Sequence, residues 1–396
     1  MKVETLAQRV SALTGELTEI YKDLHRHPEL GFEEFYTAEK VAVLLKKWGY
    51  EVATGIGGTG VIGVLRGSED GPTIALRACL DALAISEQTG VDYRSENPGN
   101  MHACGHDGNM TVTLGAAKVL AGYRDVLRGN VKIIFQPSEE NTGGAAEIIR
   151  AGGLKKPDVD VIITPHIWHD LPCGKICLKE GPVLASSDLF KLEVHGTAGH
   201  GAWPQLCVDP LPIAAQIILS LQSVISREVD PVIPACLTIG KVNYGTAANI
   251  ISKTVTLYGT VRTYNAEIRD FIQNRIEEIS YGITKSGRGS YTLEYQRIMP
   301  PLVNDSGFTA LAAKAIGDNM GNDAFTSTCP QNLGCEEFSV YLDSVPGLFM
   351  FIGSSKAESP AIEIHSPKFL FPQECLPIGV RALCEIALEY FKTKRP

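Results

Sequence analysis

The stretch from 131 to 152, "VKIIFQPSEENTGGAAEIIRAG", contains the pattern that decides the fold. Its first part, "VKIIFQ" (131–136), is an apolar run of strand length, and "GAAEIIRAG" (144–152) has the apolar spacing of a helix. The loop between them holds a proline, two adjacent glutamates and a pair of glycines. A strand that leads through a short loop into a helix is the repeating unit of α/β proteins.

The same alternation of strand and helix continues on both sides of this stretch. Further apolar runs of strand length are 61–65, 73–78, 159–164 and 347–354. Further segments with helical spacing are 5–26, 36–48 and 110–123. This order predicts an α/β catalytic domain with a mostly parallel sheet flanked by helices.

The pattern changes near residue 186. "LFKLEVHG" (189–196) and "TVTLYGTVRTY" (254–264) alternate apolar and polar residues, which is typical of a sheet with one face in water. Helical patterns follow at 209–227 and 265–284. We therefore expect an inserted smaller α+β domain of the ferredoxin-like kind. The predicted boundaries are 1–185 for the first part of the catalytic domain, 186–296 for the insert, and 297–396 for the second part.

The composition excludes several classes of protein. With 396 residues, the chain exceeds one ordinary core. Its net charge of −9 and pI of about 5.6 argue against nucleic acid or an anionic membrane as partner. No apolar run reaches the ~20 residues of a membrane span, and the N-terminal pattern lacks the apolar block of a signal peptide. We expect a cytoplasmic protein in which most of the ten cysteines are reduced.

Groups that bind metals lie at the ends of predicted strands or in loops. These groups are Cys79 and Asp81, Cys104 and His106 in "MHACGHDGN" (101–109), Glu139 and Glu140, His166, and His365 in "AIEIHSP". A single histidine is more often a hydrogen-bonded core residue, and two adjacent glutamates are usually a solvated pair. A Cys-x-His pair alone does not match a zinc-finger pattern. The coincidence of all these groups at strand ends, however, favours a metal site.

Motifs along nearly the whole chain resemble those of one enzyme family. The motifs are "LHRHPELGFEEFYTAEKVAVLL", "LRACLDALAI", "MHACGHDGN", "FQPSEE", "GTAGHGAWPQLCVDP", "GTAANIIS", "GTVRTY", "GCEEFS" and "HSPKF". In their order they are similar to the group of dinuclear metallo-amidohydrolases that includes aminoacylase, hippurate hydrolase, indole-acetyl-amino-acid hydrolase and N-acyl-L-amino acid amidohydrolase. This group is related to bacterial metallo-carboxypeptidases.

The resemblance implies a role for each matching residue. It implies metal ligands at Cys104, His106, Glu140, His166 and His365, a catalytic base at Glu139, a supporting acid at Asp81, an active-site histidine at His200, and substrate contacts at Asn249 and Arg262. It further implies two divalent ions per subunit, and thiolate and imidazole ligands leave zinc, manganese, cobalt and nickel open. The insert would serve as lid and dimerisation domain in a homodimer or higher oligomer, with His200 often reaching a partner subunit's site.

The chain departs from the family pattern at three places. Cys79 stands where an acidic residue is usual, Asn109 where a histidine is usual, and Ala84 where a proline is usual. None of the predicted ligands is lost. Cys79 is either a plain buried thiol or an added soft contact near the metals. Asn109 lies one helical turn after His106, so it can alter the surroundings of the ligands.

These observations predict a metal-dependent hydrolase that cleaves the amide bond of small N-acyl amino acids or related conjugates. The alternatives are a dipeptidase or carboxypeptidase, and a hydrolytic deaminase of an aromatic amine on the same site. A metal-dependent binding protein without catalysis is disfavoured, because binding alone needs no base at Glu139. A redox relay of cysteines is also disfavoured, because no Cys-x-x-Cys pair occurs.

Overall fold

The computed structural model describes residues 4–329, 332–356 and 362–393. It divides into two compact units, and the smaller one is inserted in the larger one along the sequence. The large unit comprises Met1–Gly181, Val303–Pro330 and Val340–Pro396. The small unit comprises Pro182–Leu302 and Gln331–Ser339.

The secondary structure alternates between helices and strands along most of the chain. The helices are α1 (Leu6–Ala12), α2 (Thr14–Arg26), α3 (Phe35–Lys47), α4 (His106–Ala121), α5 (Gly144–Arg150), α6 (Pro210–Ser223), α7 (Ala266–Ser286), α8 (Ser306–Met320), α9 (Phe338–Leu342) and α10 (Cys375–Thr393). The strands are β1 (Glu51–Ile56), β2 (Gly60–Arg66), β3 (Glu69–Cys79), β4 (Arg128–Gln136), β5 (Val161–Pro172), β6 (Ile176–Cys177), β7 (Gly181–Leu184), β8 (Ser187–His195), β9 (Gly199–His200), β10 (Ala235–Asn243), β11 (Ile250–Ile251), β12 (Thr254–Thr263), β13 (Ser290–Met299), β14 (Leu302–Asn304), β15 (Phe325–Thr326) and β16 (Gly347–Ser355).

The large unit is built on an eight-stranded sheet in the order β1-β2-β4-β3-β5-β16-β6-β15. Its centre is parallel, because β4, β3, β5 and β16 pair with one another in the same direction. Strands β4 and β16 are buried along nearly their whole length. Continuous burial is typical of a parallel sheet with helices on both faces, so the predicted α/β class is confirmed.

Two predicted boundaries in the large unit are wrong. The helix predicted over 5–26 is interrupted at Leu13, where the Thr14 hydroxyl donates to the Ser11 carbonyl at 2.9 Å and competes with the backbone ladder. The strand predicted to end at 164 continues as β5 to Pro172. It continues because β16 keeps pairing with it as far as Pro172.

The small unit has the ferredoxin-like order of elements, β8-α6-β10-β12-α7-β13. Its four strands form an antiparallel sheet in the order β10-β12-β8-β13. Alternate residues of β8 and β12, among them Leu192 and Val255, pack with Ile217 of α6 and Ile276 of α7 in a core of their own. The predicted α+β insert is therefore confirmed as a fold, with one covered face and one open face.

Strand pairing in the large unit brings the predicted site loops to one edge of the sheet. Strand β3 ends at Cys79, which is in register with Gln136, the last residue of the parallel strand β4. The Leu80 N–H also donates to the Gln136 carbonyl at 2.8 Å. The segments that follow, with Asp81 on one side and Glu139 on the other, therefore leave the sheet side by side.

The cysteines are mostly outside disulfides, as expected, with one exception. Cys177 and Cys329 form a disulfide within the large unit. The other eight cysteines form none. Among the residues that the structure describes, no helix combines the length and apolar character that crossing a bilayer requires.

Candidate metal centre

The turn that holds Cys104 and His106 forms the start of α4. Gly105 lies between them with φ of 80°, a left-handed conformation that costs a glycine little, and it caps the helix. His106 is the first helical residue. Both predicted ligands are buried, Cys104 at 8% exposure and His106 at 1%. The tight turn therefore directs a thiol and an imidazole into the interior.

The imidazole of His106 is oriented by Asp81. Nδ1 lies 2.9 Å from the Asp81 backbone carbonyl, which can only accept, so this nitrogen carries the ring proton. The carboxylate of Asp81 is fully buried, and its Oδ2 accepts the Glu140 backbone N–H at 2.9 Å. Asp81 thus connects the segment after β3 with His106 and with the loop after β4, which agrees with a supporting role.

His166 is oriented in the same way from β5. Its Nδ1 donates to the Ile167 carbonyl at 2.8 Å, which leaves Nε2 as the nitrogen with a lone pair. Nε2 lies 3.8 Å from Sγ of Cys104. The ring also stacks on Phe349 of the neighbouring strand β16, with 5.6 Å between ring centroids. Metal-binding histidines commonly donate their second ring N–H to a carbonyl, as both histidines do here.

The loop that carries the two glutamates is held by a residue that the sequence patterns did not indicate. Glu34 is completely buried, and its Oε1 accepts the Ser138 N–H at 2.8 Å while its second oxygen accepts the Thr59 hydroxyl. Ser138 has φ of 48°, an uncommon value that the Glu34 contact stabilises. Burial raises the pKa of Glu34. Glu34 lies in "LHRHPELGFEEFYTAEKVAVLL", one of the motifs that resemble the family, and this match is the signal that could have identified it.

His365 approaches Glu140 from the C-terminal part of the large unit. It lies in a turn with φ of 65°, whereas the sequence placed it at the end of a short alternating run. Its Nε2 is 3.5 Å from Oε1 of Glu140. Burial opposes ionisation of Glu140, but the His365 contact and the field of His106 outweigh it, so the pKa of Glu140 lies below its ordinary value. The contact with His365 thus favours the ionised form of Glu140.

The predicted donors form overlapping groups in which the donor atoms lie within 4.8 Å of one another. The groups are Cys104 with His106 and His166, Cys104 with Glu140 and His365, His106 with Glu139 and Glu140, and Cys79 with Asp81 and His106. The structure therefore brings the predicted ligands, the predicted base and Asp81 into one cluster. It also places Cys79, 2% exposed, at this cluster instead of in a distant part of the core.

The small unit holds two other predicted residues close together. His200 in β9 pairs with Ile250 of β11, and the Gly201 N–H donates to the Asn249 carbonyl at 2.9 Å. The Ala202 N–H donates to Nδ1 of His200 at 3.1 Å, so in the neutral ring the proton lies on Nε2. The side chain of His200 is exposed, and its Nε2 can donate a hydrogen bond.

Arg262 lies elsewhere in the small unit, on β12. Its Nη1 contacts Sγ of Cys335 at 2.8 Å. Cys335 precedes the two buried glutamates of "GCEEFS". The structure thus groups His200 with Asn249, whereas Arg262 has a thiol as its neighbour.

This fold and donor set define a hydrolase of the metallopeptidase class. The chain belongs to peptidase family M20/M25/M40, whose family model matches residues 75–389. It is 36% identical over 394 residues to the IAA-amino acid hydrolase ILR1-like 4 of Arabidopsis thaliana, with 98% of this chain and 88% of the relative covered. It is 37% identical to the N-acetyl-L-cysteine deacetylase of Bacillus subtilis, with 95% and 88% covered. The predicted family and the hydrolysis of C–N bonds are confirmed.

Two solved structures are similar to this chain along nearly its whole length. A putative aminohydrolase from methicillin-resistant Staphylococcus aureus superposes with a TM-score of 0.94 at 32% identity, covering 98% of this chain and 99% of the other. A dinuclear metal-binding peptidase of the M20 family from Bacillus subtilis superposes with a TM-score of 0.86 at 33% identity, covering 97% and 99%. Both similarities extend over the large and the small unit.

Proposed function

We propose that the protein hydrolyses the amide bond of N-acyl amino acids or related small conjugates. One observation carries this proposal: Glu139 and Glu140 stand in one group with His106, which supplies one carboxylate more than the predicted ligand set uses. A site that only bound a metal would have no use for this additional base. The similarity to an IAA-amino acid hydrolase and to an N-acetyl-L-cysteine deacetylase supports the same substrate class.

The donors present fit a pair of divalent ions. They are Cys104, His106, Glu140, His166 and His365, a set of one thiol, three imidazoles and one carboxylate. The Asp81 carboxylate is fully buried and its Oδ1 is left without a hydrogen bond, as expected where a cation compensates the charge. Thiolate and imidazole suit zinc, and manganese, cobalt and nickel also accept such mixed sets. The similarity to the dinuclear metal-binding peptidase of Bacillus subtilis supports two ions.

The chemistry divides between the ions and this chain's own residues. Two bound ions would polarise the scissile carbonyl and lower the pKa of the attacking water. Glu139 takes the proton from that water on its carboxylate and passes it to the nitrogen of the leaving amine. The backbone of Ser138, held by Glu34, keeps this carboxylate in place beside His106. The products are a carboxylic acid and a free amino acid.

The small unit supplies the remaining roles in this proposal. His200 donates from Nε2 to the developing oxyanion, which its Nδ1 contact with the Ala202 N–H permits. Asn249 and Arg262 bind the substrate, with the guanidinium matching the free carboxylate of the amino acid. We propose that the insert, 186–296, acts as lid and dimerisation domain in a homodimer or higher oligomer. We propose a cytoplasmic location, which the eight cysteines outside disulfides support and the Cys177–Cys329 disulfide does not.

A substrate panel tests the proposal. Purified protein is stripped with a chelator, reconstituted with zinc or manganese in turn, and assayed for release of amine from N-acetyl-methionine, hippurate, dipeptides and aminobenzoates. We expect release from the N-acyl amino acids, with a metal preference set by the thiolate. Release from dipeptides alone would show a dipeptidase, and ammonia from aminobenzoates a deaminase. Metal binding without turnover of any substrate would contradict the enzymatic role.

A further inference from the structure

Asn109 makes a contact that links two predicted metal-binding elements. It lies in α4, one turn after His106, and its side chain is 3% exposed. Its Oδ1 accepts the backbone N–H of Ile167 in β5 at 2.8 Å. The contact joins the start of α4 to the part of β5 that carries His166.

The Ile167 N–H needs a side-chain acceptor because β3 does not pair with this part of β5. Strand β3 pairs with β5 at Val161–Ile163, so Ile167 lies four residues past this ladder. Alternate residues of a parallel strand bond to opposite neighbours, and Ile162 bonds towards β16 through the Pro346 carbonyl. Ile167 therefore points its N–H and its carbonyl to the side of β3. A buried backbone N–H without a partner there would cost ~1–3 kcal/mol.

The backbone carbonyl of Ile167 orients the imidazole ring of His166. The Ile167 carbonyl accepts Nδ1–H of His166 at 2.8 Å, which fixes the ring proton on Nδ1 and turns Nε2 towards Sγ of Cys104, 3.8 Å away. A single residue of β5 is thus bonded at its N–H by Asn109 and at its carbonyl by His166. The same helix that begins with His106 fixes the strand segment from which His166 extends.

We propose that Asn109 is a positioning residue that holds His166 in register with His106 and Cys104 for metal binding. The inference rests on the proposed function, because it takes these residues as ligands. Loss of the Asn109 acceptor frees the Ile167 N–H, which belongs to the peptide group between His166 and Ile167, and this part of β5 then no longer fixes the orientation of the His166 ring. Groups that orient metal-binding histidines typically contribute ~10–100-fold to metal affinity. The loss should fall on the ion that His166 binds.

Two substitutions at the same position separate positioning from general stability. Asn109→Ala removes the acceptor, whereas Asn109→Asp keeps an oxygen at the same place. Asp305→Ala serves as the matched control, because the Asp305 side chain also accepts a backbone N–H, that of Phe308 at 2.7 Å, but at the start of α8. Removing such a helix cap costs ~1 kcal/mol of stability. The control therefore destabilises the large unit without touching the ligand set.

Zinc binding is measured by equilibrium dialysis, and cobalt binding by the visible absorption of the cobalt-substituted protein, with thermal unfolding of each metal-free variant in parallel. We expect the wild type to bind two ions, and Asn109→Ala to bind one of them at least ~10-fold more weakly with an altered cobalt spectrum. Asn109→Asp should recover most of the affinity, and Asp305→Ala should bind both ions normally.

The outcomes distinguish this inference from the proposed function. A wild type that binds two ions, with Asn109→Ala equal to it in affinity and spectrum, would overturn the positioning role alone. An equal loss of affinity in Asp305→Ala would also overturn it, because the effect would then be general destabilisation. A wild type that binds no ion would overturn the proposed function and this inference together.

Discussion

His25 lies between two acidic residues, with Nδ1 2.6 Å from Oδ2 of Asp107 and Nε2 3.3 Å from Oε1 of Glu87. All three side chains are buried, at no more than 4% exposure. Asp107 directly follows His106, and His25 belongs to α2. The contact with Asp107 therefore anchors the first turn of α4 to α2. An imidazole that is hydrogen-bonded to a carboxylate at each of its two nitrogens is stabilised in its charged form.

The charge on His25 makes stability depend on pH. Burial acts against the charged form, but the hydrogen bonds to Asp107 and Glu87 outweigh it and raise the pKa of His25 from 6.5 to about 9. Because the folded pKa exceeds the unfolded one, the contribution is complete below pH 6.5 and is lost as the pH rises through 9. The shift corresponds to a contribution of about 3 kcal/mol.

Urea unfolding of chelator-treated protein at a series of pH values measures this contribution. The wild type should exceed His25→Gln in the free energy of unfolding by the largest amount below pH 6.5, where the contribution is complete. The difference should shrink as the pH rises from 6.5 to 9 and should be nearly absent above pH 9, where the folded histidine is neutral. Two stability profiles that run parallel from neutral to alkaline pH would show that His25 is not charged in the folded protein.

The two adjacent glutamates should respond differently to the same substitution. Glu139→Gln removes the base but no predicted ligand, so turnover should fall at least ~10²-fold while metal content stays normal. Glu140→Gln removes a ligand and should lower both metal content and rate. Each variant is the matched control of the other, and metal analysis beside kinetics gives the answer. Near-normal turnover in Glu139→Gln would refute the assignment.

Cys104 should be the thiol that metal protects. Cys104→Ser should weaken zinc binding, because the alcohol is a poorer ligand than the thiolate, and should remove one metal-protected site from titration with a thiol reagent. Cys384→Ser is the control, because Cys384 is also buried and contacts the Ala116 carbonyl in the core. The ligand role is excluded if Cys104→Ser and Cys384→Ser both retain full zinc occupancy.

Arg262 should discriminate between acids and amides. Arg262→Met should raise KM strongly for N-acyl amino acids and weakly for the matching amino acid amides, because only the acids lose a bidentate partner. Arg297→Met is the control in the same unit, since Arg297 is exposed and pairs with Asp270. Steady-state kinetics on matched acid and amide substrates measure the effect. Equal changes in KM for both kinds of substrate would remove this role.

Much of the fold could be predicted because its signals are local. The strand predicted over 131–136 and the helix predicted from 144 each have a clear apolar pattern, and a polar loop separates them. Both elements are present in the structure, as β4 and α5. The loop in the same stretch contains Glu139 and Glu140, so these candidates could also be identified from the sequence. The end of β5 could not be predicted from 159–164, because pairing with β16, far along the chain, extends the strand.

The resemblance implies a supporting role for Asp81, but the other contacts that orient the site could not be read from the sequence, because they join distant residues. Asn109 meets Ile167 across 58 positions, and His25 meets Asp107 across 82. Glu34 holds the Ser138 backbone across 104 positions. No periodicity or spacing encodes such pairs. The ligand types were visible one by one, while the groups that fix their orientation depend on tertiary packing.

His200 accepts the Ala202 N–H at its Nδ1, and its ring lies 4.8 Å from that of Trp203. His200→Ala should lower kcat by ~10²-fold or more, since one oxyanion donor contributes ~3–4 kcal/mol in the transition state. Metal content and folding should be unchanged. His195→Ala is the control, because this histidine of β8 contacts Thr292 within the small unit's own sheet and should leave kcat intact.

Mixing two inactive variants tests whether His200 acts across subunits. If His200 completes the partner subunit's site, a heterodimer of His200→Ala and Glu139→Gln contains one intact site, because one protomer supplies the glutamate and the other the histidine. Subunit exchange, followed by labelled protomers, should then restore part of the activity. If exchange is complete and activity stays absent, while His200→Ala alone is inactive, the histidine donates its hydrogen bond within its own chain.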